Sequence, residues 1–243
     1  MGGAAVSFEL ELVAANLVVF VAAVLQAATG VGFAMVAVPL LALISLAWVP
    51  APMLICNIAL SVFLIHRGRH EIERSEAPPL LAGMTLGTFA GAAILASFEG
   101  RGLGAMIGAI IVSAVLVSLF TPKLRITRLR LLAAAFVGGA TGTIAAMHGP
   151  PLIILYQRER PEKVRATMAG VFVFGCLLAI ATLALAGLFG WEQLWRGLVL
   201  LPGVVLGFFA GRALGGRMSP GAVRTAMLTL AGTAGLGLLL RSL

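Results

Sequence analysis

The residues best placed to do chemistry lie in two similar apolar stretches of the chain. Residues 28–41 read ATGVGFAMVAVPLL, and residues 140–153 read ATGTIAAMHGPPLI. Seven of the fourteen positions are identical, namely Ala28/Ala140, Thr29/Thr141, Gly30/Gly142, Ala34/Ala146, Met35/Met147, Pro39/Pro151 and Leu40/Leu152. Glycine tolerates unusual backbone angles and proline lacks an N–H group, so both stretches predict a place where the chain leaves the helical hydrogen-bond ladder.

An interrupted helix can bind a small anion with its backbone. The N–H groups in the first turn of a helix have no intrahelical partner, and the helix dipole adds a partial positive charge of about half a unit there. The predicted substrate-binding residues lie in or beside the two stretches, with the Thr and Gly positions as first choice: Gln26, Thr29, Gly30, Gly32, Pro39, Asn57, Thr141, Gly142, Thr143, His148, Gly149 and Pro150.

The interruptions themselves can be placed roughly. The first stretch is expected to break at residues 29–32, and the second at 141–143 and at 148–151. Proline suits the first turn of a helix, so Pro39 and Pro151 are each expected to begin a short helix. The free N–H groups of those helices would then point back toward the breaks.

These candidates also have plainer interpretations. Glycine and threonine in membrane helices most often allow close packing, and for Gly32 the two interpretations carry equal weight. Asn57 is more readily explained by a hydrogen bond with Ser61, one helical turn later. His148 has no histidine counterpart, because Val36 occupies the matching position, so capping of a broken helix competes with a proton or ligand role.

The composition places both stretches in a membrane protein. Of the 243 residues, 60% are hydrophobic and 11% are charged, and the mean hydropathy is +1.09. These values lie far outside the range of soluble proteins. Apolar runs such as 168–189 are as long as the ~20 residues that a helix needs to cross a bilayer. The chain is therefore predicted to be an all-α integral membrane protein.

The net charge of +8 does not indicate nucleic acid as a partner. Most of the cations lie in short loops between apolar runs, where they set the orientation of the chain and face anionic lipid. Cys56 and Cys176 lie inside apolar runs without a CxxC motif, so both are expected to be small buried side chains rather than metal ligands or a disulfide. No cofactor is predicted.

Eight apolar blocks divide the chain into two halves. They cover residues 12–48, 50–65, 80–98, 103–120, 131–157, 168–189, 197–214 and 223–240. A second match, between LAGMTLGTFAG (81–91) and LPGVVLGFFAG (201–211), follows the first in the same order, as expected for an internal repeat. The halves are predicted to be 1–120 and 121–243. The glycines of this second match, at every fourth position, are predicted to serve helix packing.

The loop charges predict how the halves are oriented. If block 131–157 enters the membrane and returns, 14 cations lie on the cytoplasmic side and three outside, namely Arg101, Arg196 and Arg241; a single crossing divides them nine to eight. The positive-inside rule favours re-entry. Both termini are then outside, and corresponding loops lie on opposite faces. The prediction is an inverted-topology repeat of two four-segment halves, each beginning with a re-entrant helical hairpin.

Two hairpins inserted from opposite faces would meet near the midplane of the bilayer. No Asp, Glu, Lys or Arg lies well inside an apolar block, apart from Arg212 near an inner end, so the meeting point suits an anion rather than a cation. An intramembrane enzyme is disfavoured. The chain has no Asp, no HExxH and no GxSxG, and His66 and His70 lie in a charged loop.

The two stretches resemble a known family of transporters. GVGFAMVAVPLL (30–41), HGPPLIILY (148–156) and the near absence of charge in eight apolar blocks resemble the sulfite exporter TauE/SafE family over nearly the whole chain. The resemblance implies export of sulfite, sulfoacetate or related organosulfonates across the bacterial inner membrane. By position it falls on Gly30, Gly32, Pro39, Gly142, Gly149, Pro150 and Pro151. Phe33 stands where a further glycine is frequent in this pattern.

The leading hypothesis is a secondary transporter in which the hairpins bind a small sulfur-containing anion and the repeats give alternating access. An anion channel at the same site, or transport of another small solute, remains an alternative. A structural subunit of a larger complex would leave the broken helices unexplained. The sequence leaves open whether the chain forms a homo-oligomer.

Overall fold

The computed structural model of the chain describes residues 2–29, 32–68, 75–98, 101–119, 124–214 and 219–242. These residues form ten α-helices and no strand: α1 (Gly2–Thr29), α2 (Phe33–Ile44), α3 (Ala51–Gly68), α4 (Ala77–Leu95), α5 (Arg101–Leu119), α6 (Arg128–Ala145), α7 (Gly149–Tyr156), α8 (Pro161–Leu185), α9 (Trp191–Leu214) and α10 (Pro220–Ser242). The all-helical prediction is confirmed. The first and fifth apolar blocks each contain two helices, and every other block contains one.

Six helical stretches in the described ranges are long and apolar enough to cross a membrane. They are Phe8–Ala27, Ala77–Leu95, Gly102–Leu119, Pro161–Leu185, Trp191–Leu214 and Gly221–Ser242. The chain is thus a multi-pass membrane protein. By contrast, α2 and α7 have only 12 and 8 residues. At 1.5 Å per residue they reach about 18 Å and about 12 Å, which is too short to span about 30 Å of hydrocarbon.

Three glycines allow α4 to lie directly against α6. Gly83, Gly87 and Gly91 face successive turns of α6, and a Cβ atom added at Gly87 would lie only 1.9 Å from the carbonyl oxygen of Phe136. Such close approach of two backbones is how membrane helices gain dispersion contacts where lipid offers no hydrophobic driving force. The glycine spacing thus positions α6.

A second glycine interface joins α9 to α1. Gly203, Gly207 and Gly211 face α1, and a Cβ at Gly207 would lie 2.3 Å from the carbonyl oxygen of Phe20. Asn16 of α1 adds two hydrogen bonds: its amide group donates to a carbonyl of α9 at 3.1 Å, and its side-chain oxygen accepts from the Gly203 N–H at 3.2 Å. The predicted packing role of the glycines is consistent with both interfaces.

The remaining long helices pack around these two pairs. α3 lies against α8, and α5 lies against α10. In the α5–α10 contact, a Cβ at Gly108 would lie 2.9 Å from the backbone nitrogen of Leu239, and a Cβ at Gly235 would lie 2.5 Å from Cγ2 of Ile111. Small residues thus bring these backbones together as well.

Polar contacts hold the far ends of the two short helices. At the end of α7, the Tyr156 hydroxyl donates to Glu76, which precedes α4, and Lys163 of α8 forms an ion pair with the same carboxylate at 2.9 Å. Beyond α2, the buried Trp48 ring lies 5.1 Å from the guanidinium carbon of Arg196 in α9. Each short helix is therefore anchored to the beginning of a long helix.

Gly87→Ala tests the glycine interface. The added methyl group would clash with the backbone of α6, and overpacking of this kind costs about 1–3 kcal/mol. We expect a lower thermal unfolding midpoint of the purified protein in detergent and a lower yield of monodisperse protein. Gly170→Ala is the matched control, because a Cβ there meets no atom within 4 Å. Equal stability of the two variants would contradict close backbone packing at Gly87.

Candidate functional site

The first interruption separates α1 from α2. α1 ends at Thr29 and α2 begins at Phe33; Gly30 and the side chain of Thr29 lie outside the described residues. Gly32 has a φ of 109°, in the left-handed region that glycine adopts without steric cost. The side-chain oxygen of Gln26 accepts a hydrogen bond from the Phe33 N–H at 2.7 Å, so a residue of α1 caps the start of α2.

The second interruption separates α6 from α7. α6 ends at Ala145, and Ala146 then takes a left-handed conformation with a φ of 54°, which is uncommon for a residue with a Cβ. The N–H groups of Ala146 and Met147 both donate back to the carbonyl of Thr141, the latter at 3.3 Å, which satisfies one of the last carbonyls of α6. α7 begins immediately afterwards at Gly149.

Side chains satisfy the backbone groups released at this second interruption. The amide group of Asn57, on α3, donates to the carbonyl of Ala146 at 3.1 Å. The Thr141 hydroxyl lies 2.8 Å from the Met147 carbonyl oxygen and can donate to it. A buried carbonyl without a donor is costly in an apolar bundle, so Asn57 stabilises the break. The observed partner of its amide is thus a distant backbone group and not Ser61.

The starts of α2 and α7 line one small cavity of about 30 Å³, enough for about two water molecules. Its lining residues are Gln26, Gly32, Phe33, Ala34, Met35, Asn57, Ala146, His148, Gly149, Pro150, Ile153 and Phe172. None of these lining residues, all in the described part of the chain, is an Asp, Glu, Lys or Arg. Two helix N-termini therefore share one space that these charged side chains do not enter.

The imidazole of His148 occupies a slot beside this cavity. A Cβ added at Gly142 would lie 2.2 Å from Cδ2 of the ring, and one at Gly175 would lie 3.0 Å from the same atom. The ring Nδ1 is 3.9 Å from the Cys176 sulfur, and the Phe172 ring is tilted against it. Nε2 is buried without a hydrogen-bond partner in the described residues. Although His148 is the N-cap residue of α7, its side chain makes no capping hydrogen bond, so the capping hypothesis is wrong.

The structure separates the predicted site residues into three groups. Six line the cavity: Gln26, Gly32, Asn57, His148, Gly149 and Pro150. Four are described but do not line it: Pro39, Thr141, Gly142 and Thr143. Gly30 lies outside the described residues, and so does the Thr29 side chain. Whether any of these residues binds a substrate stays a prediction.

The predicted break at residues 141–143 is wrong, because α6 continues through them to Ala145. The hydroxyls of Thr141 and Thr143 each lie 2.9 Å from a carbonyl oxygen one turn earlier, an arrangement that a helix accommodates. Gly142 stays helical and makes room for the imidazole of His148. The chain turns at 146–148, directly beside the other predicted position at 148–151. Matching the two stretches letter by letter alone puts the second break about one helical turn too early.

The expectation that Pro39 begins a helix is also wrong. Pro39 lies inside α2, which begins at Phe33, whereas Pro151 does lie in the first turn of α7. Proline has no N–H, so Pro39 leaves the carbonyl of Met35 without its usual intrahelical donor. The matched prolines therefore lie at different distances from the starts of their helices.

Sequence reasoning missed six cavity residues: Phe33, Ala34, Met35, Ala146, Ile153 and Phe172. The first five lie within the two compared stretches and would follow from the helix starts once these are placed. Phe172 lies on α8, and no local pattern distinguishes it from other apolar residues of that helix.

A comparison with protein families shows which family the chain belongs to. Residues 15–238 match the family model described as Sulfite exporter TauE/SafE. The chain belongs to the sulfite exporter TauE/SafE family. No curated protein and no solved structure matches the chain. Membership of the TauE/SafE family and the apolar helices together support transmembrane transport, and the family suggests a membrane transporter of sulfur anions.

Gly142→Ala tests the slot that holds His148 in this TauE/SafE family member. The added methyl group would overlap the imidazole, so we expect the ring to move out of the slot. The measurement is NMR of protein labelled on its three histidines, with the His148 signal assigned by His148→Gln. The His148 signal should shift in Gly142→Ala and stay in place in Gly170→Ala. An unshifted signal in folded Gly142→Ala would exclude this packing.

Proposed function

We propose that the chain is a secondary transporter that exports a small sulfur-containing anion, such as sulfite, sulfoacetate or another organosulfonate, across the bacterial plasma membrane. Family membership supports the substrate class. The single structural observation that carries the proposal is the cavity without Asp, Glu, Lys or Arg that the starts of α2 and α7 share. The dipoles of both helices favour negative charge in that space, together with the first-turn N–H groups of α2 and the Gly149 N–H of α7; Pro150 and Pro151 have no N–H.

The polar side chains of the cavity fit an anion better than a cation. Gln26 and Asn57 are neutral amides, and no carboxylate lines the cavity to compensate a positive charge. At α2 the Phe33 N–H is held by the oxygen of Gln26. Release of that cap would free an N–H for the substrate, so we propose Gln26 as an exchangeable cap at the binding site.

We further propose that α1–α2 and α6–α7 are re-entrant hairpins. The Leu152 side chain of α7 lies 3.6 Å from the position of a Cβ on Gly138 of α6, which supports α7 folding back along α6. The contact of Gln26 with Phe33 similarly supports α2 folding back toward α1. Hairpins that end inside the bilayer account for two helices too short to span it.

The pattern of helix contacts supports an inverted repeat of residues 1–120 and 121–243. If α1 to α5 correspond to α6 to α10, the α1–α9 contact corresponds to α6–α4, while α3–α8 and α5–α10 correspond to themselves. All four contacts are extensive. If α1–α2 and α6–α7 re-enter, each half crosses the membrane three times, through α3 to α5 and through α8 to α10. Two halves that each cross an odd number of times and follow one another have opposite orientations, and an axis in the membrane plane relates them. We propose that both termini lie outside, as the loop charges favour.

The small size of the cavity supports alternating access. A volume of about 30 Å³ leaves little room for an oxyanion with its first ligands, so binding requires α2 and α7 to move apart. Motion that opens the cavity to one face at a time would carry the anion across. A channel would instead require a path open to both faces at once.

Transport by purified protein in liposomes tests the function. We expect uptake of labelled sulfite or of an organosulfonate to exceed that of empty vesicles, to saturate, and to be accelerated by the same anion on the opposite side. The measurement is uptake across a panel of sulfur anions that includes sulfate, with chloride as the comparison outside this class. No transport of any sulfur anion by folded protein would contradict the substrate class, and non-saturating flux without counterflow would indicate a channel.

Accessibility labelling tests the hairpin topology. Single cysteines replacing Arg128 and Arg158, which are exposed on either side of the α6–α7 unit, should react with a membrane-impermeant thiol reagent from the same, cytoplasmic, side. The background is low because Cys56 and Cys176 are buried. Labelling of the two positions from opposite sides would show that α6 and α7 cross the membrane once, and would remove the proposed convergence of helix starts.

A further inference from the structure

A larger cavity lies on the other side of α7 from the central one. It has a volume of about 630 Å³ and is bounded by α5, α6 and α7. Its walls are almost entirely apolar, with Ile110 on α5, Ala134 on α6 and Ile154 on α7. Val117 and Val137 also line it and are 41% and 46% exposed, so the cavity is a groove that opens outward from the helix bundle.

A groove of this kind within a bilayer is a place for hydrocarbon. Water gains few hydrogen bonds there, because the polar side chains among the lining residues are only Ser113, Arg130 and Thr141, and the Thr141 hydroxyl already has a backbone acceptor. A lipid tail provides apolar contacts along the whole length. The bilayer supplies such chains at the open side.

Cations mark one end of the groove. Arg130 is a lining residue, and Arg125 and Arg128 are exposed on the same segment at the start of α6. One N–H group of Arg130 donates to the Arg125 carbonyl at 3.0 Å, which holds the guanidinium at this end and leaves its other donors available. Two of these arginines lie in the first turn of α6, where the helix dipole disfavours cations, and that turn contains no acidic residue. An anion placed there relieves this repulsion.

We propose that an anionic phospholipid docks on this face, with one acyl chain in the groove between α5, α6 and α7 and its phosphate at Arg125, Arg128 and Arg130. The chain would extend toward Met147 and Pro150, behind the turn between α6 and α7. Pro150 lines both this groove and the central cavity, so a bound chain contacts the element that also forms the proposed anion site. The lipid site itself does not depend on what is transported.

The experiment is a lipid titration of the purified full-length protein in neutral detergent. Phosphatidylglycerol should raise the thermal unfolding midpoint and appear as a bound lipid in native mass spectrometry, and phosphatidylcholine should bind much more weakly. Replacing Arg125, Arg128 and Arg130 together with glutamine should weaken phosphatidylglycerol binding by about fivefold per arginine. The matched control replaces the exposed Arg158, Arg165 and Arg212 with glutamine and should leave the affinity unchanged.

A second pair of variants tests the groove without altering charge. Ala109→Leu and Ala133→Leu add bulk at exposed groove positions and should also weaken phosphatidylglycerol binding, whereas Ala82→Leu, at an exposed position of α4, should not. Equal losses in the two arginine triples would show unspecific charge attraction and overturn the proposal. It would also be overturned if the leucine variants bind normally, or if they change the oligomeric state instead, which would identify a second copy as the occupant.

Discussion

The structure depends on hydrogen bonding of the backbone where two helices are interrupted inside an apolar bundle. Each unpaired amide in hydrocarbon would cost several kcal/mol. Gln26 accepts from the first N–H of α2, and Asn57 donates to the carbonyl that follows α6. Because neutral amides do this, the space between the helix starts acquires no formal charge. The starts of α2 and α7, with the partial positive charges of their dipoles, then line a space without Asp, Glu, Lys or Arg.

Glycine packing determines where these interruptions lie in space. α6 is held against α4 by Gly83, Gly87 and Gly91, and α1 is held against α9 by an equivalent row. In a bilayer, helices gain no hydrophobic energy by meeting, so such contacts must come from close dispersion packing. Both helices that end at the breaks are therefore held along a row of glycines on a neighbouring helix. A precise arrangement of backbone groups needs this support.

The sequence predicts the class, the family and part of the cavity. Hydropathy and apolar block lengths were sufficient for an all-helical membrane protein, and the glycine and proline phrases for the TauE/SafE family. The location of the second break was not predictable by matching phrases, since the left-handed residue there is Ala146 and not a glycine.

Long-range contacts account for the remaining differences. The hydrogen bond from Asn57 to Ala146 joins residues 89 positions apart, and no local sequence pattern predicts it. The same holds for Phe172, which reaches the cavity from α8. Pro39 shows the opposite error, because an identical letter in two similar stretches occupies different turns of its helix. An identical residue in the two stretches therefore does not show that both positions lie at the same distance from the helix interruption.

The glycine contacts also determine which parts of the molecule can shift as units. α1 is fastened to α9 and α4 to α6, so each fastened pair joins a helix from the first part of the chain to one from the second. If residues 1–120 moved as one unit past residues 121–243, both the α1–α9 and the α4–α6 contacts would be broken. If the cavity widens without separating either glycine contact, α1 must move together with α9, and α4 together with α6. The moving units would then not coincide with the two parts of the sequence.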